Sequence, residues 1–258
     1  MIPNDQRTLK SPLTYPNDKP RAVSLIASKI PEGVTNIVTP FLGGGSIELG
    51  LSSKDYNVTA FTDYRLLYDF WQCALSDPQK LFNMASAFYP MEDVRTFSML
   101  QKKVYQPHDE YLRSALFYVL NHCSVSGSTT GGSIDPGTPR FSPTRISELA
   151  DFNPSPFELQ LDKPSAALET TEYLVGVMPE YMRTNLVEAV VIPERPQINH
   201  AKFATALRES DCSGWMLLYK YHSDLLDLYA DSEMIFLKEG YRVTSNPDRA
   251  TEVLIIGS

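Results

Sequence analysis

Residues 38–49 read Val-Thr-Pro-Phe-Leu-Gly-Gly-Gly-Ser-Ile-Glu-Leu. The run Asn36-Ile37-Val38 is short and apolar, as a buried strand requires, and Pro40 and Phe41 end it. Three glycines follow, then an amphipathic segment begins at Ser46. Strand, glycine-rich turn and helix form the layout that brings backbone close to a nucleotide-like ligand. Glycine lacks a Cβ, so the turn can take positive φ and a ligand can touch main chain. The first N–H groups of the next helix then face that ligand. An ordinary tight turn has the same composition, so the rest of the chain must decide between the two.

Working outward, Arg21–Ile30 carries Val23, Ile26, Ala27 and Ile30 at helical spacing, and Pro31 and Gly33 stop it. Ser46–Ser53 reads as helix, Asn57–Thr62 as a second buried strand ending at Asp63, and Leu66–Leu75 as an apolar helix containing Trp71. This alternation predicts a parallel sheet with right-handed crossovers. Tyr111–Leu120 is an amphipathic helix, and Asn121–Pro143 is rich in Ser, Thr, Gly and Pro, as functional loops are. Residues 144–185 carry no clear period. Val187–Ile192 reads as a strand broken by Pro193, and Lys202–Glu209 as a helix. Trp215–Tyr219 reads as a strand and Asp224–Tyr229 as a helix. Met234–Leu237, Tyr241–Thr244 and Glu252–Ile256 are late strands suited to an antiparallel end of the sheet.

The bulk numbers narrow the function. With 258 residues, 43% of them hydrophobic, the chain can bury a full core. No apolar run approaches the ~20 residues of a membrane span, and Met1-Ile2-Pro3-Asn4-Asp5 lacks the pattern of a signal peptide. Cys73, Cys123 and Cys212 are too scattered for a disulfide framework or a zinc site, so the expected setting is a reducing cytoplasm. His108, His200 and His222 show no metal-ligand spacing either. The net charge of −8 disfavours a general polyanion binder, although a local basic face on an acidic protein can still hold DNA.

The order of these pieces resembles the Dam-type DNA adenine methyltransferases over about residues 9–256. Lys10–Lys19, with Tyr15 and Lys19, is similar to that family's opening P-x-x-Y-x-G-G-K. Pro40-Phe41-Leu42-Gly43-Gly44-Gly45-Ser46 is similar to its S-adenosylmethionine loop, P-F-x-G-x-G-S. Phe117–Gly127 resembles the end of its helical insertion and the hairpin that probes DNA. The resemblance implies a Rossmann-like α/β fold, mostly parallel with an antiparallel strand at the end. It assigns 1–76 and 186–258 to the core, 77–150 to a helical insertion resembling a target-recognition region, and 151–185 to a return segment. It implies cofactor contacts from Tyr15, Lys19, Pro40, Phe41, Gly43, Gly45 and Asp63, and DNA contacts from Asn121, His122 and Arg140. Asp63 lies at the distance from the glycines where a carboxylate accepts two ribose hydroxyls, roughly 20 residues. As a plainer alternative, Asp63 caps the next helix.

The expected chemistry departs from the family. Its D-P-P-Y motif follows the fourth strand: the acid and a neighbouring carbonyl accept from the amine of a flipped adenine, and the aromatic residue stacks on the base. After Val187–Ile192 this chain has Glu194-Arg195-Pro196-Gln197. That alignment makes Glu194 and Pro196 the candidate catalytic residues, with a longer acid, a cation and no aromatic ring. Asn153-Pro154-Ser155-Pro156-Phe157 superficially looks like an N-P-P-F variant but follows no strand-like run, and Asp135-Pro136-Gly137 reads as a turn. In the opening motif Asn17-Asp18 replaces two glycines. Plain core roles are expected for Trp71, Leu116, Phe117 and Trp215. For Arg140, Arg145 and Lys163 a solvated surface weighs evenly against a basic patch, and His122 too is open to a role-free reading.

Two main functional readings follow, beside a third in which the chain is a cofactor-binding sensor or a methyltransferase acting on another substrate. In one the chain is a silent relative, a pseudoenzyme that serves as a binding or structural part of an assembly, a phage, viral or virion-associated one included. In the other it is an active S-adenosylmethionine-dependent enzyme with Glu194 as the amine acceptor. Both have DNA or protein as partner and neither needs a metal or a membrane.

Overall fold

The computed structural model describes residues 10–125, 127–135, 138, 140–181 and 198–258. In chain order the elements are α1 (Val23–Lys29), β1 (Asn36–Thr39), α2 (Ser46–Ser52), β2 (Asn57–Thr62), α3 (Arg65–Ser76) and α4 (Pro78–Ser86). They continue with α5 (Val94–Lys103), α6 (Glu110–Cys123), α7 (Pro143–Ala150), β3 (Glu158–Leu161) and β4 (Tyr173–Val177). The chain closes with α8 (His200–Arg208), β5 (Gly214–Lys220), α9 (Asp224–Leu228), β6 (Glu233–Lys238), β7 (Arg242–Val243) and β8 (Glu252–Gly257).

The strands form one sheet in the order β3-β2-β1-β4-β5-β8-β6-β7. The first five run parallel, and β8, β6 and β7 pair antiparallel. This is the Rossmann-like α/β sheet expected, including its antiparallel end. Side-chain alternation sorts the core onto two faces. Tyr173, Val175, Met216 and Leu218 join one apolar cluster with α1, α2 and α3, while Leu174, Trp215, Leu217 and Tyr219 join a second with Phe203 and Leu207 of α8 and Leu225 of α9. Trp71, Leu116, Phe117 and Trp215 are buried as expected.

Helices α4, α5 and α7, absent from the sequence reading, begin on local caps. Asp77, Asp93 and Ser142 accept from the backbone N–H of Lys80, Thr96 and Arg145, and α6 starts the same way on Asp109. Proline at the first helical positions of α4 and α7 presets φ and needs no donor there. The first apolar cluster runs without a break from the sheet into these helices through Phe97, Leu100, Val119 and Leu149.

The strand between β1 and β5 is Tyr173–Val177. The sequence reading gave that slot to Val187–Ile192, a segment outside the described residues. Both β3 and β4 come from the stretch whose pattern was hard to read. β3 is short and mostly exposed, and β4 has only five residues, so neither carries a long period.

Candidate functional site

Because β1, β2 and β4 are parallel, the segments that follow them lie along one edge of the sheet. The glycine turn follows β1, Asp63 follows β2, and Met178-Pro179-Glu180-Tyr181 follows β4.

The glycine turn is close-packed by the protein itself. Gly45 caps α2 with φ of 75°, a left-handed conformation that favours glycine. A Cβ on Gly45 would overlap the Trp71 indole, whose Nε1 donates to the Gly43 carbonyl at 3.2 Å. A Cβ on Gly43 would lie 3.0 Å from the Tyr15 ring, and one on Gly44 would lie 2.5 Å from Asp18 Cγ. Each glycine therefore has a protein side chain where its own would stand. Leu42 N–H donates to the Phe61 carbonyl at 2.8 Å, which ties the turn to β2. Pro40 is buried, and the ring of Phe41 lies 5.4 Å from that of Phe203.

The opening segment crosses this turn. Asp18 accepts from Ser46 Oγ at 2.5 Å and from Ser46 N–H at 3.4 Å. Burial raises the Asp18 carboxyl above the usual carboxylate range, and the Ser46 bonds oppose that shift. Behind it Glu48 is buried, its carboxyl pushed up to about 7 chiefly by desolvation, with the Asp18 charge adding to the rise. Asn17 holds φ of 62°, and its Nδ2 donates to the Met178 carbonyl at 3.1 Å. Lys19 pairs with Glu252 of β8 at 2.5 Å.

Asp63 is exposed at the end of β2. Helix α3 starts at Tyr64 with no side-chain cap, so the capping alternative for Asp63 is not realised.

At the end of β4, Met178 is 1% exposed and its N–H donates to the Leu218 carbonyl at 2.9 Å. Glu180 pairs with Lys220 at 2.7 Å on the surface. The Tyr181 ring sits between His200 and His222, at centroid distances of 5.1 and 4.9 Å. His200 Nδ1 meets the Tyr219 hydroxyl at 3.2 Å, and Tyr219 meets Tyr229 at 3.1 Å. Burial lowers the affinity of His200 for a proton. Sequence reasoning missed this segment. Its signal was the run Tyr-Leu-Val-Gly-Val directly before Met-Pro.

The residues expected at DNA are placed differently. Asn121 is fully buried: its Oδ1 accepts from Thr14 N–H at 2.9 Å, and its Nδ2 donates to the carbonyls of Thr14 at 2.8 Å and Gly127 at 2.7 Å. His122 is also fully buried; its Nδ1 lies 3.0 Å from the Tyr118 carbonyl, and desolvation pushes its pKa down to about 3. Arg140 donates to the carbonyls of Ser124 and Val125 and lies 3.4 Å from Asp135, closing the loop around the Ser124–Ile134 bridge. The contact role read for Asn121 and His122 is thus corrected to an internal one, because neither side chain reaches the surface. Arg140 holds its own loop. Glu194 and Pro196 lie outside the described residues. Among the described residues no cluster of His, Cys, Asp and Glu suits a metal, and no helix is long and apolar enough to cross a membrane.

Compared with known proteins, residues 15–133 match the model of the D12 class N6 adenine-specific DNA methyltransferase family. That stretch includes Tyr15, Lys19, the glycine turn, Asp63 and helices α4, α5 and α6. The match bears out the resemblance to Dam-type enzymes. No curated protein matches the chain.

Proposed function

We propose, for a chain whose residues 15–133 carry the D12 class adenine methyltransferase signature, that the fold persists while methyl transfer does not. One observation carries this reading: the strand beside β1 runs into Met178-Pro179-Glu180-Tyr181. In the family the acid-proline-proline-aromatic motif follows the strand in that slot. Met178 then stands for the acid, Glu180 for the second proline, and Tyr181 for the aromatic residue. A thioether is a weak acceptor and cannot sharpen an amine as a carboxylate does. The Tyr181 ring packs between two imidazoles, which opposes its use as a platform for an extruded base. Glu180 cannot replace the acid from its surface pair with Lys220.

Preserved packing with lost chemistry suits a binding or structural component of an assembly, because fold and function are separable. The match still makes DNA and S-adenosylmethionine the ligands to test first. The experiment is transfer of labelled methyl from S-adenosylmethionine to unmethylated duplex and single-stranded DNA. The expected result is no incorporation above a protein-free control, by the wild type or by Glu194→Ala. Incorporation by the wild type would overturn the proposal, and its loss in Glu194→Ala would point to Glu194 as the amine acceptor of an active enzyme.

A further inference from the structure

We infer that residues 15–18 form an intramolecular strap that occupies the glycine turn and excludes a carboxylate-bearing nucleoside ligand such as S-adenosylmethionine. This rests on the reading above that the turn is an inherited cofactor loop, and it adds what now fills that loop.

The strap is held on both sides. Tyr15 covers Gly43, and Asp18 covers Gly44 so closely that a Cβ there would lie 2.5 Å from the carboxyl carbon. Asp18 takes both the hydroxyl and the N–H of Ser46. A ligand carboxylate entering the turn would find these two donors already taken. Asn17 reaches across to the Met178 carbonyl, so the same strap joins the glycine turn to the end of β4. Just beyond it, Lys19 is drawn into its pair with Glu252. An incoming carboxylate must therefore displace a side chain that already fills the turn and is bonded to both donors. Two glycines at 17 and 18 would leave backbone alone in this space. Here one side chain spans to β4 and the other fills the turn.

The experiment is calorimetric titration of the full chain with S-adenosylmethionine. The wild type, Asp18→Asn and Asn17→Gly/Asp18→Gly are compared. The double glycine variant is expected to bind at least about tenfold more tightly than the wild type, a difference of about 1.4 kcal/mol. Asp18→Asn keeps the side chain in place and is expected to stay close to the wild type. Equal binding by the wild type and the glycine variant would overturn the strap. So would Asp18→Asn binding as well as the glycine variant, since charge alone would then be the barrier. Should the double variant fail to fold, hydrogen exchange at Ser46 of the wild type decides. Protection unchanged by millimolar ligand is the expected result, and new protection overturns the strap.

The two proposals fail separately. Tight wild-type binding without methyl transfer removes the strap and leaves the silent reading. Weak wild-type binding with transfer at high ligand concentration does the reverse.

Discussion

Glu48 and Gly45 show how strongly single positions around the turn are constrained. The Glu48 carboxyl titrates at about 7 in the fold, against 4.5 when unperturbed. The folded chain therefore binds more protons than the unfolded chain between those values, and stability falls as pH rises through that window. Burial raises the Asp18 carboxyl too, which adds a slope of the same sign. Glu48→Gln removes the Glu48 part. In urea unfolding the variant is expected to gain on the wild type at pH 8 relative to pH 5; an equal difference at both pH values would reject a protonated Glu48. Gly45→Ala meets two penalties, its left-handed φ and the Trp71 ring. The expected loss is about 3 kcal/mol by denaturant unfolding, combining backbone strain with overpacking. A loss under about 0.5 kcal/mol would show that the indole yields.

Between elements, buried polar groups are the joints. Asn121, at the end of α6, holds the backbone of the opening segment at Thr14 and of the loop at Gly127. Asn121→Ala leaves buried backbone groups without these partners, at about 1–3 kcal/mol each before relaxation. Faster hydrogen exchange at residue 14 is expected, and unchanged exchange there would separate the strap from α6. Asp69 on α3 is 2% exposed and bridges Arg65 at 2.7 Å and Arg113 of α6 at 2.8 Å. Removing one partner of a buried pair costs about 3–5 kcal/mol. Arg113 keeps the carbonyls of Pro107 and His108, so Asp69→Ala is expected near the lower end in chemical unfolding. Those carbonyls lie just before α6, a further tie that composition could not reveal.

Across the whole molecule, a closed glycine turn predicts a protein indifferent to S-adenosylmethionine. A ligand present at a hundred times its Kd raises stability by about 2.7 kcal/mol. Millimolar S-adenosylmethionine is therefore expected to leave the melting temperature of the wild type unchanged, and a rise of several degrees would contradict the strap. The sequence alone determined much at this scale. The run Asn36–Val38 with its three glycines located the turn, apolar runs located β5, β6 and β8, and motif order identified the family stretch. These features are local, set by periodicity and by residues with unusual backbone freedom. Helices α4, α5 and α7 were legible in principle through Asp77, Asp93 and Ser142, but a cap is one residue and a period is many. The site was less legible. Only the tertiary structure put Tyr173–Val177 beside β1, buried Asn121 and His122, turned Lys19 to Glu252 and laid Asp18 over Gly44. Strand order and side-chain pairing join residues far apart in the chain. Asn17 and Met178 meet although 161 positions separate them, and no local pattern records such a contact.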